Sequence, residues 1–232
     1  MIIFTPEAAA TQVAELTKQY PDLTTTESSP AVIRLRGDIW VNRSFLNFTV
    51  DQSYKIEITI PLNSSALPNV KDVGGSICDD YPHRYISGEL CLETEAIIRI
   101  RFIDGFSLIE WMGEFVEPYY FSYEYFCRYG IFPFGDRPHG LDGLINTYQD
   151  LFREEDLLIA WKLMRYCVTG RYRGHLPCPC GSGKRTRNCH GEGLLLIMSD
   201  SRKRDIIKND VNRIKEELEK REHARKNTKT AE

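Results

Sequence analysis

Cys178, Cys180, Cys189 and His190 stand at C-x-C-x8-C-H spacing. Thiolate sulfur and imidazole nitrogen are the donors that zinc takes in closed, tetrahedral structural sites. Gly181 and Gly183 let the backbone turn tightly around an ion, and Pro177 and Pro179 stiffen its entry. Residues 171–191 carry five Lys and Arg and no Asp or Glu. Two or three thiolates and Zn2+ leave such a centre near neutral, so the bases need not repel the metal. Structural zinc supplies about 10–16 kcal/mol in small modules, which replaces the core that about twenty residues cannot build. The rival reading of this segment is a Cys-rich loop without metal.

A second constellation runs from Tyr81-Pro82-His83 to Gly88-Glu89-Leu90-Cys91-Leu92. If this segment is extended, Glu89, Cys91 and Glu93 share one face, and Leu90 and Leu92 point to the core from the other. The thiol then lies on the polar face. His83, eight residues upstream in a Pro-containing loop, can fold back beside it. A free thiol has a pKa of about 8.5 and is little ionised at neutral pH. Two flanking carboxylates raise that value further. The pattern describes a nucleophile for slow, assisted exchange. The plain alternative is an inert strand cysteine.

Other elements must hold these residues. Thr5, Pro6 and Glu7 read as cap, first position and first turn of a helix over 6–20, with Ala9, Val13, Leu16 and Tyr20 on one stripe. Residues 31–36 and 39–41 read as strands around a turn at Gly37-Asp38. Residues 54–60 alternate Tyr54, Ile56, Ile58 and Ile60 with polar residues, the pattern of a half-buried strand. Residues 67–70 begin another extended segment. The run 96–102 fits either strand or helix. Residues 106–116, 119–128, 141–152 and 155–168 read as helices, with Pro118 as a kink or break and Glu154-Glu155-Asp156 at a helix N-terminus. The aromatic run 119–134 reads as packing surface, and His139 and His175 as loop residues. Helix, strands, then helices is an α+β order with an antiparallel sheet.

This order and the Cys91 segment resemble the ubiquitin-conjugating enzyme family. Its members run helix, four-stranded meander, Pro-rich stretch, His-Pro-Asn motif, and then a catalytic cysteine in Gly-x-Ile-Cys-Leu context before further helices. Leu67-Pro68-Asn69-Val70 stands at the family's Pro-Pro-x-Val turn. Tyr81-Pro82-His83 stands at His-Pro-Asn, and Gly88-Glu89-Leu90-Cys91-Leu92 at the cysteine motif. The resemblance spans roughly 1–155 and implies a ubiquitin-conjugating-like fold with Cys91 as acyl carrier. His83 replaces the family's oxyanion-supporting Asn; an imidazole N–H can donate there and can also take a proton. Divergent bacterial members of antiphage operons often lack that Asn. Their cargo, by resemblance, is a ubiquitin-like protein or the C-terminus of a nucleotidyltransferase that makes cyclic oligonucleotides. The cysteine cluster is similar to the SEC-C motif, a small zinc module used for partner binding. That resemblance assigns Cys178, Cys180, Cys189 and His190 to Zn2+.

Composition bounds these readings. Of 232 residues, 42% are hydrophobic and 27% charged, a globular balance. No apolar run approaches the ~18 residues of a membrane span. The N-terminus does not read as a secretory signal. A cytoplasmic protein that does not engage membrane is expected. No Walker loop or dinucleotide fingerprint occurs, so ATP-dependent activation of cargo falls to a separate activating enzyme, if one is needed. Residues 1–170 hold 14 Lys and Arg against 24 Asp and Glu, whereas 171–232 hold 16 against 9. That shift suggests a ubiquitin-conjugating-like domain over 1–170, a zinc module over 171–195, and a basic amphipathic helix with disordered tail over 196–232. Ile207, Val211, Ile214 and Leu218 form its stripe, suited to packing on the chain's own surface or a partner's, in a groove or a short coiled coil. The tail lacks aromatic residues, so nucleic acid is not expected as a partner. Three functions result: a cysteine-dependent transferase for ubiquitin-like cargo in bacterial antiviral defence, a non-catalytic adaptor on the same fold, and a nucleic-acid-associated zinc protein.

Overall fold

The computed structural model describes residues 2–136, 138 and 140–229, with side chains as far as Glu216 and at Glu219 and Lys220. His139 and residues 230–232 of the tail lie outside the described residues. The chain is a mixed α+β protein forming two compact units, residues 1–95 with 102–136, and residues 96–101 with 137–232.

The first unit opens with α1 (Pro6–Gln19), whose N-cap Thr5 accepts the Ala8 N–H at 3.2 Å through its hydroxyl. Ala9, Leu16 and Tyr20 are buried along the expected stripe. Four antiparallel strands follow in sequential order: β1 (Thr24–Ser28), β2 (Val32–Phe45), β3 (Phe48–Pro61) and β4 (Asn69–Asp72). Tyr54, Ile56, Ile58 and Ile60 of β3 face the core. They lie opposite Ile39, Gly37, Leu35 and Ile33 of β2.

The expected turn at Gly37-Asp38 does not form. β2 runs through it, with Ile33, Leu35, Ile39 and Val41 buried on one face and Gly37 in the same phase. The glycine is there for space. A Cβ on Gly37 would lie 1.9 Å from the Asp22 carbonyl oxygen, because the chain entering β1 crosses directly over it. β1 itself, mostly exposed Thr and Glu, carries no apolar alternation by which to recognise it.

The run 96–102 resolves as α2 (Glu95–Arg101), with Glu95 in the first turn and Arg99 and Arg101 in the last, matching the helix dipole. α3 (Leu108–Trp111), a π turn (Met112–Val116) and α4 (Glu117–Tyr129) are contiguous. Pro118 therefore neither breaks nor separates two helices. The Glu117 N–H bonds five residues back to the Met112 carbonyl. Pro118, next in line, has no N–H to give the Gly113 carbonyl, and the Arg43 guanidinium donates to that oxygen instead. Arg43 also donates to Glu117 at 2.9 Å, and Glu117 accepts the Tyr20 hydroxyl at 2.6 Å.

The second unit holds α2, α5 (Gly140–Phe152), α6 (Leu157–Thr169), a 3-10 turn (Thr186–Asn188), α7 (Gly191–Met198) and α8 (Ser201–Lys229). Tyr148, Leu163, Met164, Cys167, Leu194, Ile197, Ile207 and Ile214 share its core, together with Cys178. The expected boundary after residue 170 thus falls inside one packed unit. Ile207 and Ile214 are buried in that same core, so of the expected settings for this stripe the chain's own surface is the one it takes. Asp210 on α8 is buried too, accepting the Tyr148 hydroxyl at 2.6 Å. α8 continues past Ala224, where the tail was expected to lose structure; no Gly or Pro interrupts 201–229. Among the described residues, no helix is long and apolar enough to cross a membrane.

Replacing Gly37 by Ala should lower unfolding stability by about 1–3 kcal/mol, the usual cost of overpacking, measured by urea titration. An unchanged midpoint would contradict the close approach of Asp22.

Candidate functional sites in the two units

In the first unit, the Cys91 segment is fastened by backbone. The Leu90 N–H donates to the Val70 carbonyl of β4 at 2.8 Å, and the Cys91 N–H donates to the His83 carbonyl at 2.8 Å. Gly88, at φ 82°, closes the intervening turn, with its N–H on the Tyr85 carbonyl at 2.8 Å. The His83 carbonyl also accepts the Tyr119 hydroxyl of α4 at 3.1 Å. Buried Tyr81 anchors the loop edge-on against Tyr119 and Tyr123.

Leu90 is buried as expected, Leu92 only partly so, and Cys91 is half-buried. His83 does fold back beside Cys91, through its backbone. Its imidazole Nε2 lies 3.1 Å from the Asp136 carboxylate, with the ring edge-on against Phe132. Tyr85, which the sequence did not single out, hydrogen-bonds the thiol through its side chain. Burial pushes the Cys91 pKa up; the Tyr85 hydrogen bond opposes this, and the Glu93 charge adds to it. The flanking-carboxylate argument therefore gives the right direction and the lesser cause.

In the second unit, the four Cys and His residues converge. Pro177 and Arg185 bridge, and the Cys178 N–H donates to the Lys184 carbonyl at 2.8 Å, making a short hairpin. Its tip turns at Gly181 (φ 92°) and Gly183 (φ 77°). The 3-10 turn then returns Cys189 and His190 to the hairpin. One ligand atom from each of Cys178, Cys180, Cys189 and His190 lies within 4.8 Å of the others. Cys180 and Cys189 sulfurs are 3.6 Å apart, and His190 Nδ1 is 3.5 Å from Cys178 and 3.3 Å from Cys189. Tetrahedral coordination with metal–sulfur bonds of about 2.3 Å gives donor edges of about 3.5–3.8 Å. The set can hold a metal ion.

The thiols are unequal. Burial pushes Cys178 up to about 11, its sulfur lying at the edge of the apolar core. Burial also acts on Cys180, but Ser182 hydroxyl and backbone donors and the adjacent thiols outweigh it and bring that group down to about 6. His190 Nε2 lies 3.1 Å from a Glu154 carboxylate oxygen. Glu154 was read as part of a helix start. The helix begins later, with Asp156 as N-cap accepting the Leu158 and Ile159 N–H groups, which leaves Glu154 in the preceding loop.

No family model, curated protein or solved structure matches this chain.

Alkylation of Cys91 by iodoacetamide should reach half its maximal rate at a higher pH than free cysteine, since the reactive thiolate forms only above the raised pKa; a profile matching or lying below free cysteine would contradict the buried setting. Metal analysis of the purified chain should find about one divalent ion per chain, and Cys178→Ser should reduce it. A metal-free wild-type chain that takes up no added ion would remove the ligand assignment.

Proposed function

We propose that this chain is a ubiquitin-conjugating-like acyl carrier with an attached zinc module. The observation that carries this reading is the placement of Cys91. A half-buried thiol sits on a backbone-pinned loop after a four-stranded meander and before the helices, with His83 folded back onto it. The order of elements agrees with the resemblance of the Cys91 motif.

In this reading, the Cys91 thiolate attacks the thioester carbonyl of an activated C-terminus. The bond to the donor sulfur breaks, and the donor leaves as a thiol once protonated. An amine on the acceptor then attacks the Cys91 thioester, loses a proton, and expels the Cys91 thiolate. Two side-chain donors serve the tetrahedral oxyanion: the Tyr85 hydroxyl, already on the sulfur, and the His83 imidazole, paired with Asp136. A high thiol pKa makes the thiolate scarce, yet more nucleophilic and a poorer leaving group. That suits a carrier that stores its acyl group until the acceptor arrives.

The cargo of this reading is a ubiquitin-like protein or the C-terminus of a nucleotidyltransferase. A separate activating enzyme prepares it, and the setting is the cytoplasm of a bacterium defending against phage. Zn2+ is the ion that suits three cysteines and one histidine, because no fifth donor or open position is needed. The module serves partner binding. The burial that raises the Cys91 pKa favours a second reading, a non-catalytic adaptor in which Cys91 remains a thiol.

With activated cargo, the wild-type chain should form an adduct cleaved by reducing agent. Cys91→Ser should form a reductant-resistant ester, Cys91→Ala none, and Tyr85→Phe or His83→Ala should slow discharge by about 100-fold or more if that donor serves the oxyanion. An adduct that survives in Cys91→Ala sinks the carrier role. Absence of adduct from the wild-type chain, with a control carrier charged in parallel, selects the adaptor.

A further inference from the structure

A neutral imidazole binds a cation through one ring nitrogen and keeps its proton on the other. In His190, Nδ1 faces the Cys178 and Cys189 sulfurs, and Nε2 faces Glu154 Oε2 at 3.1 Å. The two side chains are only 11% and 17% exposed, so water competes weakly for this contact. Glu154 is itself held in place. Its Oε1 accepts the Asp156 N–H at 3.0 Å, and its own N–H donates to the Gln149 carbonyl at 2.9 Å. The carboxylate is thus fixed to the corner between α5 and α6 and aimed at the imidazole.

We infer that Glu154 is a positioning residue of the metal centre: it accepts the Nε2 proton, so that the Nδ1 lone pair of His190 points among the three cysteines. The inference rests on the zinc reading above. Metal-bound histidines commonly donate their second ring N–H to a carboxylate, which fixes the tautomer and the ring plane and makes the ligating nitrogen more basic. Charge argues the same way. Residues 171–191 supply five basic groups and no acid, and the fold brings Glu154 to their ligand from outside the segment. The rival is a simple ion pair, with the ring protonated at both nitrogens. Such a ring has no lone pair for a cation, and it would turn an N–H toward sulfur. The positioning role also makes the metal centre part of the second unit's helical frame. The module is tied at Glu154 as well as at the buried Cys178.

The test uses the full chain, with zinc affinity from chelator competition and two-bond proton–nitrogen correlation on the His190 ring. Glu154→Ala should weaken zinc binding by about 10–100-fold. Glu154→Gln, whose amide oxygen can still accept the Nε2 proton, should recover part of that loss. The zinc-loaded wild-type spectrum should show the proton on Nε2 and the metal on Nδ1. Asp156→Ala removes the α6 cap but keeps the N–H that holds Glu154, and it should leave affinity near wild type. Wild-type affinity in Glu154→Ala, metal on Nε2, or an equal loss in Asp156→Ala overturns the positioning role while the zinc reading stands. A wild-type chain that binds no zinc overturns both.

Discussion

Three sulfurs and an imidazole nitrogen held within 4.8 Å of one another form an arrangement that only a cation reconciles once the thiols ionise. The second unit is organised around that constraint. Cys178 is buried and belongs to the same apolar cluster as Tyr148, Leu163, Leu194 and Ile207. Ionised sulfur at the edge of a hydrophobic core carries a desolvation penalty that a bound cation would offset. The burial that raises the Cys178 pKa shows the same penalty from the other side. A cation bound there would therefore stabilise the core and be stabilised by it, and the segment is joined to that core through Cys178.

Cys91 follows a different logic. Burial outweighs the Tyr85 hydrogen bond and holds its pKa up. Its backbone is pinned by the Leu90 N–H on Val70 and its own N–H on His83, while the sulfur lies half-buried beside Tyr85. Positional precision with chemical restraint fits the acyl carrier proposed above, because a pre-ionised thiolate would also be a good leaving group and would lose its acyl group readily to water.

Legibility in the sequence followed distance along the chain. The capped first helix, the alternation in β3 and the C-x-C-x8-C-H cluster each lie within a few turns of chain, where spacing alone fixes which residues share a face. Gly37 misled because glycine marks a turn in most contexts; here the signal is the uninterrupted odd-numbered alternation from Ile33 to Val41, which the apparent turn obscured. Glu154 sits 36 residues before His190, and Asp136 sits 53 after His83; pairings of that kind depend on tertiary folding, and one sequence carries no trace of them. Tyr85 was closer to hand, six residues before Cys91, but its role depends on the turn at Gly88 returning the chain.

Pro118 shows how a feature read as a defect sets the geometry of the first site. Residues advance by about 100° around a helix. The extra residue in the π turn over Met112–Val116 therefore rotates everything after it by roughly that angle relative to an unbroken α-helix. With this phase, Tyr120 stacks on Tyr54 of β3 at 4.0 Å, and Tyr119 directs its hydroxyl to the His83 carbonyl, the same oxygen that holds the Cys91 N–H. A uniform α-helix would turn one or both tyrosines away. In this register the Gly113 carbonyl would look to Pro118, which has no N–H, and Arg43, drawn from β2 and paired with Glu117, satisfies that carbonyl. A missing backbone donor in a helix is thereby converted into the register of the loop that presents the cysteine.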